Sequence, residues 1–142
     1  MARGTFSYPV TIEQDEGVYV LSFRDIPEAI GQASSKEEIN TEALDILKIV
    51  LGYYFKDNLS IPEASEPEKG EQTIDLPLSL VAKIILHNTM LKNGVRPADL
   101  ARRMDIPTSE VARITNPRYK TKIDTLASAV SASGGRLQLI SA

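Results

Sequence analysis

The twenty residues from Pro97 to Asn116, PADLARRMDIPTSEVARITN, constrain the fold more than any other stretch of the chain. Their apolar side chains, Leu100, Ala101, Met104, Ile106, Val111 and Ile114, recur at helical spacing on both sides of a break at Asp105-Ile106-Pro107. The pattern predicts two short helices meeting at a tight corner, with Ala101 small where they cross and the larger residues forming a shared core. A second helix built this way turns Thr108, Ser109, Arg113 and Asn116 outward. Hydroxyl, guanidinium and amide groups can hydrogen-bond base edges and phosphates, so the reading is a helix-turn-helix whose second helix would lie in a DNA major groove.

By position, Thr108, Ser109 and Arg113 are the candidates for base contacts, Arg113 being able to pair with guanine through two hydrogen bonds. Arg102, Arg103, Asn116, Arg118, Lys120 and Lys122 are better placed for phosphate. The run LARRMDIPTSEVARITN, followed by RYKTKIDTLASAVSASGGRL, resembles the helix-turn-helix of the phage-repressor (Xre/Cro) class. At the corner that class usually has Gly, whereas this chain has Asp105. Aspartate tolerates a left-handed backbone better than most side-chain-bearing residues, so the turn is expected to survive with slight strain.

The 142 residues can bury one good core or two small ones, and 42% of them are hydrophobic, ordinary for a globular chain. The absence of cysteine excludes disulfides, thiol nucleophiles and thiolate metal sites. MARGTFSYPVTI lacks an apolar run of signal-peptide length, and no segment approaches the roughly 20 apolar residues of a membrane span, so the expected location is the cytoplasm. The net charge of −3 hides a division. Residues 1–79 carry six Lys/Arg against fifteen Asp/Glu, a net of −9, while residues 80–142 carry ten against four, a net of +6. An acidic first half suits a basic partner; a basic second half attracts phosphate whatever the sequence.

From the start, Phe6, Tyr8, Val10 and Ile12 alternate as a strand, Glu13–Gly17 is a polar turn, and VYVLSF (18–23) returns as a strand covered on both faces or central in a sheet. Asp25-Ile26-Pro27-Glu28 breaks the pairing because Pro27 has no amide hydrogen, and Ala29–Ala33 is a short third strand. Ser35-Lys36-Glu37-Glu38 fits a capping box that opens a long helix to about Asp57, with Ile39, Ala43, Ile46, Leu47, Val50, Leu51, Tyr54 and Phe55 on its apolar stripe. Tyr53, Tyr54 and Phe55 are most simply core. Leu44, Ile49 and Tyr53 lie off the stripe, where a second copy could cover them.

PEASEPEKGEQ (62–72) is an exposed loop, and TIDLPL (73–78) an edge strand of the same sheet. This sets a boundary between residues 1–78 and 79–142. Ser79 would cap a helix over Leu80–Leu91, with Leu80, Val81, Ile84, Ile85 and Leu91 inward, stopped by Asn93-Gly94. Thr121 with Asp124 would cap a last helix whose Ile123, Leu126, Ala127 and Val130 pack inward before Gly134-Gly135. Arg136–Ser141, RLQLIS, alternates as a final strand without a partner in its own domain. Pairing with its counterpart in a second copy predicts a homodimer, which can pair further into a tetramer, and two copies about 34 Å apart would read half-sites one turn apart.

The segment YPVTIEQDEGVYVLSFRDIPEAIGQASSKEEINTEALDIL resembles the N-terminal domain of HicB-type antitoxins, with strand, strand, Asp-x-Pro turn, short strand and capped helix in that order. With the second domain it is similar to the HicB subgroup that ends in a helix-turn-helix. The departures are Glu28, where Gly commonly follows the Pro, and Asn40, where Ala is usual. The resemblance implies an α+β protein: a truncated RNase H-like sheet with one long helix that binds a small basic HicA toxin, an RNA-cleaving protein, followed by an all-α DNA-binding and dimerisation domain with a short C-terminal strand. It also implies that the antitoxin covers the toxin's catalytic surface and represses its own promoter. Toxin contacts would then gather around Phe23, Asp25, Ile26, Pro27, Glu28 and Ala29, apolar anchors giving affinity and carboxylates aiding encounter.

Two other functions make different demands on the same residues. A regulator could sense a small molecule in a pocket between sheet and helix. A nuclease would need carboxylates held toward one metal, but Glu13, Asp15 and Glu16 fall in a turn and Asp25 and Glu28 flank a proline. His87 is the only histidine, with no second ligand and no strained serine turn beside it, and reads as a partly buried helix residue. The sequence therefore supplies no catalytic residue, no metal site and no cofactor site.

Overall fold

The computed structural model describes residues 6–141. It contains four strands, β1 (Ser7–Asp15), β2 (Val18–Ser22), β3 (Ile30–Ala33) and β4 (Gln72–Asp75), one turn of 3-10 helix at Lys36–Glu38, and five helices, α1 (Ile39–Lys56), α2 (Leu78–Asn93), α3 (Pro97–Met104), α4 (Thr108–Ile114) and α5 (Ile123–Ala132). The chain forms two compact units: one comprises the chain up to Tyr54 with Pro62–Leu76, the other Phe55–Ile61 with the chain from Pro77 onward. Phe55–Ile61 clusters with the second unit, not with the first 78 residues as the sequence suggests.

In the first unit an antiparallel sheet has the order β3-β2-β1-β4, so β4 lies at one edge and β2 is interior. Glu16 and Gly17, both with positive φ (47° and 83°), make the β1–β2 turn, which is shorter than the polar stretch suggested because β1 runs on to Asp15. Cross-strand partners share a face. One face carries Ile12, Leu21 and Gly31 in a row, and α1 lies over it: a Cβ on Gly31 would stand 2.7 Å from Ile46. Phe6, Tyr8, Val10, Phe23, Ala33 and Ile74 on that face and Ala43, Leu47 and Leu51 of α1 are buried.

The opposite face is open. Its rows Thr11-Ser22-Ile30 and Glu13-Val20-Gln32 are half-buried or exposed, so β2 is covered on one side only. The Ser35 hydroxyl makes no cap hydrogen bond; Glu38 instead accepts from the Ser34 amide at 3.2 Å, one residue earlier than a capping box at Ser35 requires.

The second unit is built on a core of Ala82, Leu86, Met90, Val95, Leu100, Ala101, Val111, Ile114, Leu126, Ala129 and Val130. The face of α2 turned inward is Ala82, Lys83, Ile84, Leu86, His87 and Met90, whereas Leu80, Val81 and Ile85 are only half-buried and Leu91 is exposed. Of the five residues that the sequence points inward only Ile84 is fully buried, because apolar residues occur all around this helix. In α5, Leu126, Ala129 and Val130 are buried while Ile123 stays exposed.

Helix ends follow backbone geometry more than serine or threonine caps. Pro77, Pro107 and Lys122 occupy the N-cap positions of α2, α4 and α5 without side-chain cap bonds, so Ser79 and Thr121 are not caps. Gly94 ends α2 at φ 65°, a conformation that favours glycine, and its amide and that of Val95 reach back to Leu91 and Met90. Asp105 ends α3 in the left-handed region at φ 56°, ψ 50°, as expected for the residue standing where Gly is usual.

Arg136–Ser141 forms no strand. A strand needs a neighbour's amides and carbonyls, and a single copy offers none to this segment; Leu137 packs partly on the core, while Leu139 and Ile140 are exposed.

Candidate functional site

The first candidate surface is the turn after β2. Phe23, Ile26 and Ala29 are buried and shape the turn from inside, leaving Pro27, Glu28 and Ile30 on the surface, Ile30 being 62% exposed. The Ala29 amide closes the turn on the Ile26 carbonyl at 2.9 Å. Two carboxylates fix it from either side. Asp25 accepts hydrogen bonds from the Ser65 amide, at 2.9 Å, and from the Ser65 hydroxyl. Glu28 accepts both its bonds from the Tyr54 hydroxyl, at 2.8 and 3.0 Å, and burial followed by this bond raises the Tyr54 pKa to about 12. Tyr54 is therefore half-buried and polar in its role, and Tyr53, also expected in the core, is exposed.

The loop of residues 62–71 is strapped beside this turn. Arg24 donates to the Glu66 carbonyl and pairs with Glu71, which also accepts from the Glu68 amide at 2.7 Å. The Arg24 guanidinium holds the Glu71 carboxyl below the usual carboxylate range. Pro27 and Ile30 thus present apolar groups beside Glu28, and Val20 lies on the open face in one row with the exposed Glu13, while Asp15 and Glu16 are exposed at the other end of β2. Among the described residues no three His, Asp or Glu side chains converge where a metal ion could sit.

The second candidate surface is α4 and the loop after it. Thr108, Ser109, Ala112 and Arg113 share the outer face of the helix, while Val111 and Ile114 are buried beneath it. The Arg113 guanidinium stands 5.8 Å from the ring centre of Tyr119, a cation–π distance that holds it near the loop. Arg118, Lys120 and Lys122 are exposed. Asn116 is half-buried, and its side-chain oxygen accepts the Arg118 amide at 2.9 Å, which organises the turn. Arg102 pairs with Asp99 at 2.9 Å, and Asp99 also accepts the Arg96 amide at the start of α3. Arg103 donates to the Ala132 carbonyl at 2.9 Å and so satisfies the end of α5.

Lys83 escaped the sequence reading. It is 2% exposed, and its ammonium donates to the carbonyls of Arg113 (3.3 Å), Asn116 (2.6 Å) and Tyr119. Burial lowers its pKa. The available signal was a lone charge within the apolar run Leu80–Leu86, at helical spacing from Leu86 and Met90.

His87 and Asn88 fasten the segment Phe55–Ile61. The His87 Nε2–H donates to the Leu59 carbonyl at 2.7 Å and its ring lies 4.8 Å from that of Phe55, while Asn88 makes two 2.9 Å bonds with the amide and carbonyl of Ile61. Burial lowers the His87 pKa, the bond to Leu59 opposing it. A cleft of about 110 Å³ adjoins this segment, lined by Phe55, His87, Met90, Val95 and Thr115.

Residues 7–85 match the family described as HicB-like antitoxin of bacterial toxin-antitoxin system. The chain is 40% identical to Antitoxin HicB 1 of Photorhabdus laumondii, over 98% of this chain and 95% of that protein. It is 38% identical to Antitoxin HicB of Escherichia coli K12, over 94% and 97%, and 32% identical to Antitoxin HicB of Pseudomonas fluorescens, over 94% and 92%. The chain belongs to the HicB-like antitoxin family. No helix among the described residues is long and apolar enough to cross a membrane.

Proposed function

We propose that this antitoxin neutralises a small basic HicA-type, mRNA-cleaving toxin by covering its active surface with the first unit, and represses its own operon by laying α4 of the second unit in the major groove of operator DNA. The first unit would then be a truncated RNase H-like domain in a binding role, with no catalysis of its own. The observation that carries the reading is the separation of two unlike surfaces along one chain. In the turn after β2, exposed Pro27 and Ile30 stand beside the carboxylates of Asp25 and Glu28, which fits a cationic protein. On α4, hydroxyls and Arg113 share an outer face flanked by Arg118, Lys120 and Lys122, which fits a duplex.

The burial of Phe23, Ile26 and Ala29 supports a role for them in shaping the turn from inside, with Pro27, Glu28, Ile30 and the open sheet rows left to make the toxin contacts. Exposed Leu139 and Ile140 support pairing of the C-terminal segments of two copies, which would set two α4 helices on two half-sites. Co-expression with the small basic product of an adjoining reading frame tests the first role: growth arrested by that product should resume, and continued arrest despite folded antitoxin would refute it. A mobility-shift assay on the DNA upstream of the operon tests the second.

A further inference from the structure

We infer that Lys83 is a positioning residue for DNA recognition, an internal clamp that sets the end of α4 and the basic loop behind it in the geometry the groove requires; the inference rests on the DNA-binding reading above. The last carbonyls of a helix have no partner inside the helix. In α4 the Arg113 carbonyl receives the Asn116 amide and, with the carbonyls of Asn116 and Tyr119, the three N–H bonds of a single ammonium coming from α2. No carboxylate is needed there, since a cation at a helix C-terminus also meets the negative end of the helix dipole.

A buried lysine is costly, and a leucine or methionine would fill the same space in the core. Its three acceptors show what it accomplishes. They bracket the residues whose placement decides how Arg113, Arg118 and Lys120 face outward, and Tyr119 both yields its carbonyl to Lys83 and lies under the Arg113 guanidinium. One buried charge therefore joins the outer helix to its flanking loop. At 2% exposure Lys83 itself is shielded from phosphate.

The test compares wild type with Lys83→Met, which keeps the length of the side chain and removes the donors. In the free protein, amide exchange at residues 113–120 should accelerate while the core of α2 and α5 stays protected. On DNA, affinity for the operator should fall about tenfold or more while affinity for unrelated duplex is kept, which lowers discrimination by the same factor. The salt dependence should keep its slope; loss of a phosphate contact would reduce it by about one ion. Equal discrimination by both proteins, or a reduced slope, would overturn the inference. A wild-type protein without operator preference would instead overturn the DNA reading, and is recognised before the variant is measured. If Lys83→Met does not fold, the wild-type ammonium can be followed by nitrogen NMR: slow-exchanging protons coupled to the carbonyls of residues 113, 116 and 119, free and on the operator, are expected, and rapid exchange on the operator would overturn the clamp.

Discussion

The tripeptide Asp-Ile-Pro occurs twice, at residues 25–27 and 105–107, and the two copies are built differently. In the first unit Ile26 is fully buried, Asp25 is a hydrogen-bond acceptor for Ser65, and Pro27 faces outward in a turn between strands. In the second, Asp105 takes a left-handed backbone at the end of α3, Ile106 is half-buried, and Pro107 sets the entry to α4. Proline interrupts regular structure in both places. The neighbours decide what the interruption becomes: a strand edge leaves Asp25 free to reach across to another loop, whereas a helix C-terminus imposes positive φ on Asp105.

That contrast can be broken residue by residue. The largest effect should come from the isoleucines. Ile26→Ala empties a fully buried site and should cost about 2–5 kcal/mol in chemical denaturation, against about 1 kcal/mol for Ile106→Ala at its half-buried site. Equal losses would mean that the two turns are held alike. Next comes the outward chemistry. Arg113→Ala should cost about 1–3 kcal/mol of operator affinity and relax sequence preference at the base it contacts while weak low-salt binding persists; unchanged discrimination in a mobility-shift assay would remove Arg113 from the base contacts.

The aspartates should respond in opposite directions. Asp105→Gly relieves a strained left-handed residue and should stabilise by up to about 1 kcal/mol, whereas Asp25→Gly loses its bonds to Ser65 and should destabilise by about 1 kcal/mol. The same sign at both would refute the assigned roles. A smaller, pH-dependent effect belongs to the second unit alone. Because the folded pKa of His87 is lowered, the unfolded chain binds more protons between that value and the ordinary 6.5. The contribution of neutral His87 is complete above pH 6.5 and is lost as pH falls through this window, so melting of the second unit should move to lower temperature between pH 7 and 5. His87→Gln should flatten that dependence.

Much of the fold was legible because alternation and helical spacing each point one way: the β1–β2 hairpin, the apolar stripe of α1, and the pair α3 and α4 with their left-handed corner. The phase of α2 was not, since apolar residues surround it and only tertiary neighbours choose between faces. The caps failed for a related reason. Prolines and glycines fix where a helix may begin or end: Ser79 and Thr121 stand a residue or more from the position that a cap must occupy, and Ser35, which does occupy it, makes no side-chain cap bond. Of the candidate surfaces, exposed Thr108, Ser109 and Arg113 could be placed from spacing alone, whereas burial of Phe23, Ile26 and Ala29 and the reach of Lys83 across the unit depend on long-range packing that no local pattern encodes.

The most direct measurement is a mobility-shift titration of the upstream operator with the full-length antitoxin, followed by the purified basic product of the adjoining gene. The expected result is a sequence-preferring shift, and then a change in that shift when the toxin joins or withdraws the antitoxin. A protein that neither prefers the operator to unrelated duplex nor responds to the neighbouring product would contradict a chain with one surface for each partner.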